Sequence, residues 1–192
     1  MPKIFSPEDR RTIENHLLEI GKGKLLHSSC QQISVDLIAM EAGIAKGTFY
    51  SFFESKNQYL KAIVDDINED QRRELEQLFS QGLPGRDQVR QYLIRRFAEG
   101  YTLYDYFTVE ELRRIFRTFP TEGESPESSR FLLTLLQDPQ PDPTNQAVVV
   151  NLYNVLAMTA TQLHKLQVGG KRETLEVLVE ALLDQIYGRE ER

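Results

Sequence analysis

The segment from Ser34 to Leu60, SVDLIAMEAGIAKGTFYSFFESKNQYL, constrains the fold more than any other part of the chain. Val35, Ile38, Ala39 and Ala42 recur at the spacing of one helix face, so a short amphipathic helix is expected there. Ser34 precedes it, where a hydroxyl can cap the first free amides. Gly43 stands just past its end, where the backbone can turn left-handed without a Cβ penalty. The chain then restarts as a helix within a few residues. Two short helices joined by a sharp glycine turn form a unit suited to presenting the second helix to a DNA groove.

In that second helix the 3.6-residue period places Ala45, Phe49, Phe52 and Phe53 on the inner face, with Ile44 in the elbow. The opposite face carries Gly47, Tyr50 and Ser51, flanked by Lys46 and Thr48. A small, hydroxyl-rich stripe with a cation at a helix N-terminus receives phosphate oxygens well, because free amides and the helix dipole add to the side-chain donors. Gly47 would let the backbone approach a duplex closely. Ser55 through Gln58 reads as a capping box that starts a third helix, and Lys56 at its N-terminus is a further candidate phosphate contact.

Ile38-Ala39, Ala42-Gly43-Ile44, Lys46-Gly47-Thr48-Phe49-Tyr50, Phe53, Lys56 and Leu60 together resemble the helix-turn-helix of the TetR (tetracycline-repressor) family of transcriptional regulators. The resemblance implies an all-α homodimer, with a three-helix DNA-binding domain at the N-terminus followed by a helical effector-binding and dimerisation domain. It implies that Lys46, Thr48, Tyr50, Ser51 and Lys56 touch DNA. With Ser34 and Gly47 from the spacing argument, these residues make up the candidate DNA-binding set. Ala45 departs from the serine frequent at its position, and His27-Ser28-Ser29-Cys30-Gln31-Gln32 lacks the usual glycine-aromatic pair.

The net charge of -6 looks wrong for a nucleic-acid binder until it is divided along the chain. Residues 1–60 hold 7 Lys+Arg and 7 Asp+Glu, and residues 61–192 hold 16 and 22, so the acid belongs to the second part. An electrically neutral headpiece makes few phosphate contacts, so binding calls for two copies on one inverted-repeat operator. The one cysteine, Cys30, excludes an intrachain disulfide and a cysteine-based metal site, and its expected role is a small packed residue between the first two helices. No apolar run reaches membrane-spanning length, and MPKIFSPEDRR contains no apolar stretch of signal-peptide length, so a cytoplasmic location is expected.

Ser6-Pro7-Glu8-Asp9 starts a helix that is expected to run to about His27, with Ile13, Leu17 and Ile20 inward. Gly21-Lys22-Gly23-Lys24 lacks the spacing of a phosphate-binding loop, so Gly21 is read as a close approach to the recognition helix. Further helices are expected from Ser55 to about Ser80, from Arg86 to Tyr106, and from a Thr108/Glu111 capping box to Phe119. Pro120–Pro126 reads as a loop, Ser125-Pro126-Glu127 as the start of a helix to Gln137, and Asp138–Pro143 as a proline-rich break. Two final helices, Thr144–Val168 and Lys171–Tyr187, carry broad apolar stripes that include Val148, Val155, Leu166, Leu175, Leu182 and Ile186. Part of each stripe serves the monomer core, and the rest suits a two-fold four-helix bundle. The division adopted is residues 1–56 for DNA and 57–192 for ligand and dimer.

Tyr101, Tyr104, Phe107, Phe116 and Tyr153 are the candidate effector-binding residues, because the resemblance places the cavity among the middle helices and aromatic walls suit small-molecule pockets. No effector identity follows. Three scattered histidines, no metal-spaced pair, no nucleophile motif and no dinucleotide fingerprint rank an enzyme last, with no catalytic residue, metal or cofactor assigned. Asp65-Asp66 and Glu110-Glu111 are read as solvated surface. The leading expectation is a ligand-responsive transcriptional repressor; the alternative is a helical adaptor or ligand-binding protein whose helix-turn-helix makes protein contacts.

Overall fold

A computed structural model of the chain describes residues 6–119, 127–136, 142–166 and 169–188. Among these residues every regular element is helical. They run α1 (Pro7–Leu25), α2 (Val35–Glu41), α3 (Lys46–Phe49), α4 (Lys56–Phe79), α5 (Arg86–Ile94), a π-helical segment (Arg95–Glu99), α6 (Leu103–Tyr106), α7 (Val109–Thr118), α8 (Glu127–Leu135), α9 (Pro143–Leu166) and α10 (Lys171–Tyr187). The chain divides into two compact units. One comprises described residues of Met1–Ile67 and Asp105–Thr121, the other those of Asn68–Tyr104 and Glu122–Arg192.

Ser6 caps α1 with a complete capping box whose reciprocal partner is Asp9. The helix buries Leu17, Leu18, Ile20 and Leu25, while Ile13 is half-buried. It stops at Leu25, two residues short of the expected end. Gly21 is a close approach as expected, but the partner is α4 rather than the recognition helix. A Cβ there would lie 2.2 Å from Tyr59 Oη and 2.6 Å from Ile63 Cδ1. Lys22, largely buried beside Asp66 of α4, donates to it at 2.8 Å. Burial disfavours its charge, but the hydrogen bonds to Asp66 and Glu19 outweigh that and push the ammonium up to about 12.

The expected Arg86–Tyr106 helix is interrupted. After Ile94 the hydrogen bonding widens, with Gly100 N donating to Arg95 O at 3.2 Å, and Gly100 takes an extended conformation that ends the run. A Cβ on Gly100 would sit 2.8 Å from Arg96 O, so the tight exit from the π-helical segment is one that glycine permits. Lys171 donates to Ala98 O at 3.1 Å, satisfying a carbonyl of the widened turn.

In the second unit α9 and α10 pack on each other and α10 packs on α5. The core gathers Val89, Leu93, Phe97, Phe131, Leu132, Leu135, Val149, Leu156, Leu175, Val179, Leu182 and Leu183. Arg86 draws α5 to α10 by bonding Glu180 at 2.8 Å and Asp184 at 2.6 Å. α10 matches its expected bounds, and Gly170, with φ +72°, makes the left-handed entry to it. The expected loop Pro120–Pro126, the Ser125-Pro126 helix start, the helix end at Gln137, most of the Asp138–Pro143 break and the α9 end at Val168 lie outside the described residues. Among the described residues no helix is long and apolar enough to cross a membrane.

Candidate nucleic-acid interface

α2 buries Val35, Ile38 and Ala39, the face expected from their spacing. Ser34 occupies the N-cap in an extended conformation, but its hydroxyl makes no capping bond, so the predicted side-chain cap is absent. The exit is fully formed. Ile44 N bonds Ala39 O at 2.9 Å and Gly43 N bonds Met40 O at 3.1 Å, with Gly43 at φ +67°. These paired bonds are the Schellman arrangement, in which a left-handed residue lets the last carbonyls find donors.

The recognition helix α3 is shorter than its sequence period suggests. Its α-helical part is Lys46–Phe49, after which tighter bonds such as Ser51 N to Thr48 O at 3.0 Å carry the turn onward. Ala45 was expected inside; it is exposed and serves as an extended N-cap, a position without inward direction. Phe52 is half-buried rather than core. Phe49 and Phe53 are the true anchors. Both are buried, with their rings 5.1 and 5.0 Å from the Tyr59 ring in edge-on contacts. Tyr59 in turn donates its hydroxyl to Leu17 O, so α1, α3 and α4 share one aromatic centre.

With Phe49 turned inward, Lys46, Gly47, Tyr50 and Ser51 are exposed and Thr48 is half-buried. A Cβ on Gly47 would meet nothing within 4 Å, so the backbone lies open on that side. Ser51 Oγ donates to Thr48 O at 2.7 Å. Ser55 caps α4 through a 3.1 Å bond from Gln58 N, while the Gln58 side chain accepts from Glu54 N rather than from Ser55. Lys56, half-buried at the start of α4, donates to Gln31 O at 3.1 Å. It lines a cleft of about 150 Å³ with Cys30, Glu111 and Arg114.

Three contributors escape sequence reading. Asp36 on α2 pairs with Lys46 on α3 at 2.8 Å, and that hydrogen bond raises the ammonium's pKa. Arg10 donates to Ser51 O at 2.9 Å and lies 4.6 Å over the Phe52 ring, holding the end of the recognition turn from 41 residues away. Glu111, read as solvated surface, is buried instead. It closes the α7 capping box with Thr108 and accepts the Cys30 amide at 2.9 Å. The Thr108/Glu111 box was legible as a motif, but its second partner is 81 residues away and leaves no local signal.

Cys30 is buried as expected, and burial together with the Glu111 carboxylate pushes its thiol up to about 12, leaving little thiolate. The five candidate effector residues divide between the units. Phe107 is buried and Phe116 surface-exposed in the first unit; Tyr101, Tyr104 and Tyr153 lie in the second. Tyr101 is half exposed against the His164 ring, and Tyr153 is buried against Phe97.

A buried aromatic anchor under an exposed polar turn, entered through a glycine elbow, defines a helix-turn-helix DNA-binding headpiece. Residues 30–63 match the family model for bacterial regulatory proteins of the tetR family. This segment is therefore a TetR-type helix-turn-helix domain, and the chain is a DNA-binding transcription regulator. No curated protein matches the chain, and no solved structure does.

Proposed function

We propose that the chain is a ligand-responsive repressor that binds an inverted-repeat operator as a homodimer, with residues 1–56 serving DNA and 57–192 serving ligand and dimer. The observation that carries the DNA part is the outward set Lys46, Gly47, Tyr50 and Ser51, held by buried Phe49. Thr48 at its flank, Ser34 at the head of α2 and Lys56 at the head of α4 complete the contact set. Free amides at these helix starts and the lysines receive phosphates, and Tyr50 adds a hydroxyl on an exposed ring.

Dimerisation is supported by what the second unit leaves uncovered. Val148, Val155, Met158 and Leu166 on α9 and Val177 on α10 are exposed, whereas Leu156, Leu175, Val179, Leu182 and Leu183 fill the core of the unit. An exposed apolar stripe along two adjacent helices suits a two-fold isologous contact. Ligand binding in the second unit would act on α4, which both units share, and change the separation of the two recognition helices. DNA accepts both only at about one helical turn, roughly 34–36 Å.

Selection of random duplex DNA by the full chain at low salt, with Tyr50→Ala in parallel, tests this reading. An enriched inverted repeat that the variant fails to recover supports it. Without enrichment, and with the two proteins alike, the adaptor reading takes first place.

A further inference from the structure

Tyr92 is 4% exposed, yet its hydroxyl has no hydrogen-bond partner among the described residues. Orphaned hydroxyls at that depth are rare, because the lost hydration is not repaid. Nearby, Gln71 on α4 is also buried and donates its amide to the Tyr153 hydroxyl at 3.0 Å. It lies beside Tyr92 without completing a bond to it. The Arg96 side chain, 10% exposed, comes from the π-helical segment and meets Glu74 at 3.5 Å, a long contact to a carboxylate that is itself 39% exposed. The positive charge of Arg96 is felt at both tyrosine hydroxyls.

The donor and acceptor inventory is lopsided. Arg96 supplies only donors, Tyr153 accepts from Gln71 and keeps its own hydroxyl hydrogen to give, and Tyr92 has a hydrogen to give and no taker. Burial holds both phenols protonated well above neutral pH, so both remain donors. Against these donors stand the Gln71 amide oxygen and one carboxylate, that of the peripheral Glu74. The Phe97 ring packs edge-on to Tyr153 at 5.4 Å and supplies an apolar wall. The element carrying Arg96 and Phe97 is π-helical, a geometry frequent at functional sites.

We infer that this cluster is the effector site of the second unit and that its ligand is a small apolar carboxylate. The acid group meets Arg96 and the Tyr92 hydroxyl, and the apolar body lies against Phe97 and Tyr153. The ligand's carboxylate takes the place of Glu74 on Arg96, and Glu74 turns to solvent, where a carboxylate keeps its hydration. Arg96 favours this exchange because its planar fork binds a free carboxylate through two parallel bonds. The inference rests on the ligand-responsive reading above and supplies its chemistry.

Calorimetric titration of the full chain with benzoate and hexanoate, against benzamide and hexanamide, tests it. Binding of either acid, at least ten times tighter than its amide, is expected. Arg96→Gln abolishes binding. Tyr92→Phe weakens it about tenfold, the loss of one hydrogen bond to a charged group, while its unfolding midpoint stays at or above that of the parent because an orphaned hydroxyl is gone. The inference is overturned if neither acid binds, if acid and amide bind alike, or if Tyr92→Phe binds as the parent does. The DNA selection is read separately: an enriched operator with no carboxylate binding sinks this inference alone, and carboxylate binding without an operator sinks the DNA reading alone.

Discussion

A side chain at Gly21 would have to displace Tyr59 or Ile63, both fully buried, and Tyr59 is also held by its bond to Leu17 O. Gly21→Ala is therefore expected to lower stability by about 1–3 kcal/mol, the usual penalty of overpacking, read as a shifted midpoint in urea unfolding. Gly47→Ala meets open space and should leave that midpoint nearly unchanged. On the surface proposed to face DNA, Asp36 holds the Lys46 ammonium that a phosphate would otherwise take. Asp36→Asn is expected to tighten operator binding and to steepen its dependence on the logarithm of salt concentration by about one, as one more cation engages phosphate. Fluorescence anisotropy across a salt series checks this, and an unchanged slope would show that the Asp36 pair does not keep Lys46 from phosphate. Gly21 could be flagged in the sequence, but the identity of its neighbour could not. The Asp36–Lys46 pair lies on two different helices, and no periodicity reports it.

Among the elements, α7 shows how one local motif acquires a distant duty. Thr108 caps it, and Glu111 returns to the Thr108 amide at 2.9 Å while also receiving the Cys30 amide. Burial opposes ionisation of Glu111, but the Thr108 and Cys30 amides outweigh it and hold the carboxyl below its ordinary pKa. A carboxyl with a lowered folded-state pKa contributes stability that is complete above its unfolded-state value and is lost as pH falls through the folded-state value. Glu111→Gln should flatten the acid side of the stability profile over that window, read as unfolding midpoints from neutral pH downward. Glu111→Ala should cost about 1–3 kcal/mol at neutral pH, because it leaves the buried Cys30 amide without an acceptor. Helix starts were largely legible because capping is a local exchange between residues three apart: Ser6, Ser55 and Thr108 all cap as their spacing predicts. Interruptions were not. Nothing in the periodicity of Arg86–Tyr106 marks the widening at Arg95, and α3 ends at Phe49 while Phe49 and Phe53 both pack on Tyr59, a residue of another helix.

For the whole molecule, the apolar stripes of α9 and α10 divide into a part consumed by the second unit and a part left facing out. Val155, 52% exposed, lies midway along the outward stripe. Val155→Glu is expected to keep the helix content of the parent by circular dichroism and to shift the protein toward monomer in sedimentation. Operator affinity should fall with it, since the proposed inverted repeat is bound by two headpieces. A dimer of unchanged stability would place the interface elsewhere. By itself the sequence determined the all-helical class, the helix-turn-helix and its glycine elbow, and the candidate DNA-facing residues, because each depends on contacts within a few residues of the chain. Only the tertiary structure decided that Ala45 faces out, that Glu111 is buried on the Cys30 amide, that Arg10 holds the recognition turn, and that Tyr92, Arg96 and Tyr153 converge. Except for Ala45, whose N-cap position is local, those arrangements bring together groups from distant parts of the chain, and which distant groups meet is set by packing, which local periodicity does not encode.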